Sequence, residues 1–243
     1  MNISIITSNH LRHKAFSKIL CDAFDIKTVI FEHKKKMPGN LPKKEQTYYK
    51  DLQDWQPPCR HVVCARGAVN GQVIQDILEK EKPDYLFIFG CSLLKENIFS
   101  IPRKGCVNIH TGLVQYFRGV DSSLWAVYEE KPEAIGATVH FVDKTIDGGN
   151  IIAQRRTNLQ VDDDLDDVFL KTCNTGFELL VEKVPQLIAG NVRPQKLTKK
   201  GKLYQNKDYN NKIFQEAKQK LSKVIKDYLK NKKDIDLSEE LIE

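Results

Sequence analysis

Asn108 and His110 stand at the end of an apolar run, Cys106–Ile109, and Thr111-Gly112-Leu113 and Tyr116-Phe117-Arg118-Gly119 follow them. Residues two apart on a strand point to the same side, so an amide and an imidazole can act on one reacting atom. Further on, the turn Ile146-Asp147-Gly148-Gly149 offers a carboxylate that could orient the imidazole. Between them runs Ile135–Val142, carrying Gly136, Thr138 and His140. Such a set at the end of an apolar strand signals a polar site. A histidine met alone is more often structural; we read His13, His33 and His61 as surface or loop residues and His140 as a structural strand residue.

Elements must hold these groups in place. Asn2–Thr7 and Ile26–Phe31 read as strands, with an amphipathic helix over Arg12–Phe24 between them. Glu32 to Pro58 is polar and irregular, with room for one short helix, and loops of this length are often functional. His61–Ala65 is a short strand, and Val69–Glu81 a helix stopped by Pro83. Tyr85–Phe89 and Cys106–Ile109 are continuous apolar strands. Apolar strands alternating with helices imply βαβ units and a parallel sheet covered on both faces. Ligands of such sheets bind at the carboxyl ends of the strands, where Gly90–Leu94 and His110–Gly119 lie.

The second half carries strands over Ala134–Val142 and Asn150–Arg156, then a helix over Leu165–Ile188 that Pro185 should kink or end. Five aspartates, at 162, 163, 164, 166 and 167, crowd the start of this helix. They suit an N-cap and a positive helix end better than a metal. Arg193–Leu197 and Lys202–Tyr204 read as a hairpin about Lys199-Lys200-Gly201. A helix capped by Asn210 or Asn211 follows, with an apolar stripe from Ile213 to Leu229 that must bury against the body or a second subunit. Residues beyond about Lys230 should fray.

The chain has 243 residues and a net charge of +6. Residues 193–243 hold 14 Lys+Arg and 8 Asp+Glu, which leaves residues 1–192 neutral. A neutral body with a basic tail is a poor match to a nucleic-acid binder. A second basic patch, Lys34, Lys35, Lys36, Lys43 and Lys44 around Pro38, Gly39 and Pro42, reads as a soluble loop. No apolar run approaches the ~20 residues of a membrane span. The start has no basic region ahead of its short apolar run, and the six cysteines lack metal-ligand spacing. Reduced thiols in the cytoplasm are the expectation.

Asn108, His110, Arg118, Gly119, Gly136, Thr138, His140, Asp147 and Gly149 follow, in order and spacing, the pattern of the folate-dependent formyltransferases, which this sequence resembles. The resemblance is specific over residues 83–155 and looser over the rest. It implies an α/β fold: a Rossmann-like parallel-sheet core at 1–192, then a small C-terminal hairpin plus helix at 193–243 that could mediate dimerisation. It implies transfer of a formyl group from 10-formyltetrahydrofolate to a primary amine, with no metal. Asn108, His110 and Asp147 would be catalytic. Phe89, Gly90, Cys91, Ser92 and Leu93, with Phe141, Thr145 and Ile146, would hold the folate. Ser8, Asn9 and His10, with Phe117, Arg118 and Gly119, would meet the acceptor.

Departures from the pattern narrow the acceptor. Thr111-Gly112-Leu113-Val114-Gln115 lacks the prolines usual in the purine and tRNA enzymes. The short tail differs from the sizeable C-terminal domain of the tRNA enzyme. Arg118-Gly119-Val120-Asp121-Ser122, and Gly201-Lys202-Leu203-Tyr204 with Lys207-Asp208-Tyr209, resemble the sugar N-formyltransferases. The expectation is therefore a cytoplasmic, homodimeric enzyme acting on a nucleotide-linked amino sugar, such as a dTDP-4-amino-4,6-dideoxyhexose bound for a bacterial surface glycan. It would bind neither nucleic acid nor membrane. The alternatives are a glycinamide ribonucleotide or methionyl-tRNA formyltransferase, and a non-catalytic folate- or nucleotide-binding protein.

Overall fold

The structure, a computed structural model, describes residues 1–34 and 44–231. Lys35, Lys36, Lys43 and the Pro38–Pro42 stretch of the basic loop lie outside the described residues, as does the chain from residue 232. The chain forms two compact units: residues 1–108 with 141–145, and residues 109–140 with 146–243. The boundary falls inside a strand at residue 108, so residues 193–231 belong to the same unit as His110.

The first unit alternates strand and helix: β1 (Ile3–Ser8), α1 (Leu11–Ala23), β2 (Ile26–Glu32), α2 (Glu45–Tyr48), β3 (Arg60–Cys64), α3 (Gln72–Glu81), β4 (Tyr85–Phe89), α4 (Glu96–Phe99) and β5 (Gly105–His110). The last strand leaves the unit at its end. The strands pair in parallel in the order β3-β2-β1-β4-β5. β1 and β4 are buried along their whole length, which is why they read as unbroken apolar runs. Ile6, Ile30, Ile74, Leu78, Ile88 and Ile98 pack on one face. Ala15, Phe16 and Leu20 of α1 are buried too, with the Phe16 ring 5.6 Å from that of Phe89. The helix expected from Val69 starts at Gln72, because Ala68–Asn70 first make a tighter 3₁₀ turn.

The second unit holds β6 (Phe117–Gly119), α5 (Ser122–Tyr128), β7 (Gly136–Phe141, whose last residue belongs to the first unit), β8 (Ile151–Arg156), α6 (Leu165–Ile188), β9 (Lys202–Tyr204) and α7 (Asn211–Asn231). β7 and β8 pair antiparallel, with a shift of register between Val139 and His140. α6 starts with a capping box: the Asp164 carboxylate accepts from the Asp167 N–H, and the Asp167 carboxylate accepts from the Asp164 N–H. Asp163 pairs with Lys171 at 2.5 Å, so these aspartates serve the helix start. Pro185 sits in the last turn, and the helix runs one residue triplet past it to Ile188.

One expectation for the tail is corrected. Lys202–Tyr204 does not fold back on residues 193–197. It pairs in parallel with Phe117–Gly119, while Gln195 makes a single antiparallel bridge to Ile151. Burial decides this: the Tyr204 ring stacks on Trp125 at 3.7 Å, and a local hairpin would leave it in water. Gly119 makes the approach possible. Its φ is +89°, and a Cβ there would stand 2.0 Å from the Tyr204 carbonyl oxygen. The stripe of α7 is likewise covered by its own chain. Ala217, Leu221, Ile225 and Tyr228 pack into one core with Phe117, Trp125, Ala126 and Ile135. Of the two burials expected for this stripe, against the body or a second subunit, the body is the one seen.

Candidate active site

β5 delivers His110 at its end, with Asn108 half-buried two residues earlier on the same strand. His110 is 5% exposed and Asp147 13%. His110 Nδ1 lies 3.4 Å from Asp147 Oδ2, and His140 Nε2 lies 3.6 Å from Asp147 Oδ1. One carboxylate thus stands between two imidazoles. Asp147 is in the left-handed region (φ +47°), which aspartate enters more readily than most residues. The Gly119 N–H donates to Asp147 Oδ2 at 2.8 Å and fixes the carboxylate.

The electrostatics divide the roles. Burial pushes His110 below the ordinary imidazole range, against the opposing pull of Asp147, so a neutral ring that can accept a proton is the resting form. Burial alone would raise Asp147. The His110 ring, the bond to His140 and the Gly119 N–H outweigh it, and the carboxyl is held well below its usual range. A fixed anion beside a neutral imidazole stabilises the imidazolium that forms on proton uptake.

The residues expected to meet the acceptor frame this pair. The Phe117 carbonyl lies 3.1 Å from His110 Nε2. Arg118 donates from Nε to the Gly201 carbonyl and from a terminal nitrogen to the Ile146 carbonyl, each at 3.0 Å. Arg118 thereby ties the tail to the Asp147 turn. Thr138 on β7 donates to the Gly112 carbonyl at 2.7 Å and holds the loop after His110.

The other expected residues lie in the first unit. Phe89 ends β4, buried beside His13 and Phe16. The Gly90 carbonyl accepts from Lys34 Nζ at 2.5 Å, and burial pushes the Cys91 thiol up to about 12. Ser92 donates from N–H and hydroxyl to the buried Glu32 carboxylate, which also accepts from the Gly67 N–H. Leu93 is 71% exposed in this pinned loop. Phe141 packs over Gly105, and Thr145 bonds Asp143. Ser8 Oγ is 2.6 Å from His13 Nδ1, Asn9 Oδ1 accepts from the Lys34 N–H, and His10 precedes α1 without a side-chain cap bond. The positive end of α1 already holds a carboxylate: Glu45 accepts from the Arg12 N–H and guanidinium.

Sequence reasoning missed several of these. His13 is buried, not a loop residue: its Nδ1 accepts from the Ser8 N–H at 3.1 Å. Glu32 and Glu45 carry no motif, and Ser122 was read only as the end of the Arg118–Ser122 stretch, not as a partner of His110. His140, read as structural, reaches the second oxygen of Asp147; the alternation that put it on the same face as Thr138 was the available signal.

A profile described as Formyl transferase matches residues 4–184. The chain belongs to this family. Among curated formyltransferases, the methionyl-tRNA formyltransferase of Caldanaerobacter subterraneus subsp. tengcongensis is 29% identical over 127 residues, 52% of this chain and 41% of that protein. The chain spans 38–41% of the length of such relatives. In fold it is similar to a 4-N formyltransferase from Francisella tularensis, with TM-score 0.62 and 21% identity over 86% of this chain and 77% of the other. It is also similar to an N-formyltransferase from Helicobacter canadensis solved with folinic acid and dTDP-3-aminofucose, with TM-score 0.58 and 15% identity over 86% and 71%. Glycinamide ribonucleotide formyltransferases share this fold. Family membership agrees with the nine placed residues from Asn108 to Gly149. Among the described residues no helix is long and apolar enough to cross a membrane.

Proposed function

We propose that the chain transfers a formyl group from 10-formyltetrahydrofolate to the amino group of a nucleotide-linked amino sugar. The observation that carries formyl transfer is the buried His110–Asp147 pair at the end of the strand bearing Asn108. The folate supplies the formyl carbon and a nitrogen leaving group. The Asn108 amide donates to the oxyanion that develops as the amine attacks, a contact commonly worth about 2.7–4 kcal/mol of barrier. His110 takes the proton from the attacking nitrogen and returns it to the departing one, with Asp147 holding the imidazolium. The loop after β4 suits the folate: Glu32 fixes Ser92 and leaves the Leu93 side chain open to a flat ring.

The sugar acceptor is supported by the tail. Gly201-Lys202-Leu203-Tyr204, which resembles the sugar enzymes, is built onto Phe117–Gly119 and fastened through Arg118 to the Asp147 turn. The segment is thus part of the unit that holds the site. A methionyl-tRNA acceptor is the second reading, favoured by the names of the sequence relatives. Anion recognition at Ser8–His10 loses force, because Glu45 already fills the end of α1.

The test is folate release from 10-formyltetrahydrofolate with a panel of amines: dTDP-4-amino-4,6-dideoxyglucose, its 3-amino isomer, a UDP-amino sugar, glycinamide ribonucleotide and charged initiator tRNA. Release with a nucleotide sugar alone is the expected result. Release with glycinamide ribonucleotide or tRNA overturns the acceptor and keeps the chemistry. Folate binding without release by any amine points to a binding protein.

A further inference from the structure

His110 has two ring nitrogens, and only one can serve the reaction. Nε2 is walled in. The Phe117 carbonyl lies 3.1 Å from it and Ser122 Oγ 3.0 Å, and Ser122 itself is 1% exposed. Only a residue without a side chain fits at Gly112 beside them: a Cβ there would stand 2.7 Å from Nε2 and 2.4 Å from Ser122 Cβ. A carbonyl oxygen can only accept a hydrogen bond, so the nitrogen facing it carries a proton. A neutral imidazole has one N–H, so Nδ1 is left with its lone pair, directed toward the Asp147 side at 3.4 Å.

We propose that the Phe117 carbonyl and the Ser122 hydroxyl lock His110 in its Nε2–H tautomer, that Nδ1 is the nitrogen that takes up and releases the proton, and that Ser122 is a positioning residue for this purpose. The inference rests on His110 being the proton carrier in formyl transfer. Before uptake, Nδ1 holds a lone pair and no hydrogen bond to Asp147 is made through it. When the attacking amine gives up its proton, the amine N–H bond breaks as the Nδ1–H bond forms, and the Asp147 carboxylate 3.4 Å away stabilises the imidazolium by its charge while Nε2–H stays on Phe117 and Ser122. The ring need not flip, and the proton leaves by the same nitrogen. Ser122 is the first residue of α5, so the helix start that carries the hydroxyl is fixed by the packing of Trp125 and Ala126 behind it.

The test starts with ¹⁵N NMR of the ligand-free, histidine-labelled protein at pH 7.5, with His110 assigned by its loss in His110→Gln. A pyrrole-type shift at Nε2 and a pyridine-type shift at Nδ1 are expected; the reverse assignment overturns the proposal. Ser122→Ala, which leaves the Phe117 carbonyl in place, should keep the proton on Nε2 but move the Nε2 shift, and should lower kcat about five- to tenfold, the effect of one neutral hydrogen bond, with KM for 10-formyltetrahydrofolate and for the amine within twofold. Ser122→Thr, which keeps the hydroxyl, should restore both. Unchanged shifts and kcat in Ser122→Ala remove Ser122 from the mechanism, and equal losses in the Ala and Thr variants make it a packing residue. The shifts need no amine, so a wrong acceptor and a wrong tautomer give different results.

Discussion

Asp147→Asn is the perturbation that bears most directly on the chemistry. The carboxylate accepts the Gly119 N–H on Oδ2 at 2.8 Å and faces His110 Nδ1 at 3.4 Å, and its other oxygen faces His140 at 3.6 Å. An asparagine can keep an oxygen toward Gly119 and His110, so the turn should hold its shape while the charge goes. What is lost is the anion that stabilises the His110 imidazolium. A hydrogen bond to a charged group contributes about 1.5–3 kcal/mol. At about 1.4 kcal/mol per tenfold, kcat should fall roughly ten- to a hundredfold. Removing Asp147 also removes the larger of the two contacts that hold the His110 pKa up, the other being the Phe117 carbonyl, so the basic form persists to lower pH while its driving force weakens. The assay is single-turnover release of tetrahydrofolate, with folate affinity measured separately by quenching of intrinsic fluorescence. A Tm and folate affinity near wild type with kcat reduced tenfold or more is the expected pattern. A kcat within twofold of wild type, in a protein that folds normally, would refute the assignment of Asp147.

Three further outcomes follow from the geometry. Gly119→Ala places a methyl 2.0 Å from the Tyr204 carbonyl at φ +89°, which should cost about 3 kcal/mol and lower Tm by roughly 10 °C in thermal unfolding. Glu32→Gln replaces an acceptor of three hydrogen bonds by a group with only one acceptor oxygen, so the Ser92 loop should loosen. KM for 10-formyltetrahydrofolate is expected to rise about five- to twentyfold with the amine KM unchanged, read from initial rates varied in each substrate. Burial lowers both His110 and His13 below the ordinary 6.5. The unfolded chain therefore binds more protons than the folded one once pH drops through 6.5, and stability falls there by up to about 1.4 kcal/mol per pH unit for each histidine. Asp147, held below its usual range, adds nothing in that window. Denaturant midpoints should be flat from pH 8.5 to 7.5 and decline from 6.5 to 5.5.

The sequence made the first unit legible because its signals are local and redundant. β1 and β4 are buried along their whole length, since both faces are covered, and α3 ends at Glu81, just before the Pro83 expected to stop it. The proximity of His110 and Asp147 had a sequence signal too: Asn108 and His110 share a strand end, and Asp147 lies in a glycine-bearing turn. The contacts that position them had none. Ser122 reaches His110 across twelve residues, and Glu45 reaches Arg12 across thirty-three. A seven-residue helix such as α5 has too few turns for its periodicity to announce where it begins.

The tail shows where local reading fails for a physical reason. Lys199-Lys200-Gly201 has the composition of a hairpin turn, and two short stretches that read as strands, Arg193–Leu197 and Lys202–Tyr204, flank it. A parallel partner more than eighty residues away prevails because it offers what a local hairpin could not. It buries the Tyr204 ring flat against Trp125, seals α7 over the same core, and presents the Gly201 carbonyl to Arg118. Arg118 spends its remaining bond on Ile146, next to Asp147, and Gly119 bonds Asp147 itself. The same three residues, Phe117, Arg118 and Gly119, thus receive the tail on one side and contact His110, Asp147 and its turn on the other. A change that unseats β9 should therefore reach the reaction through the position of Asp147, without touching a substrate.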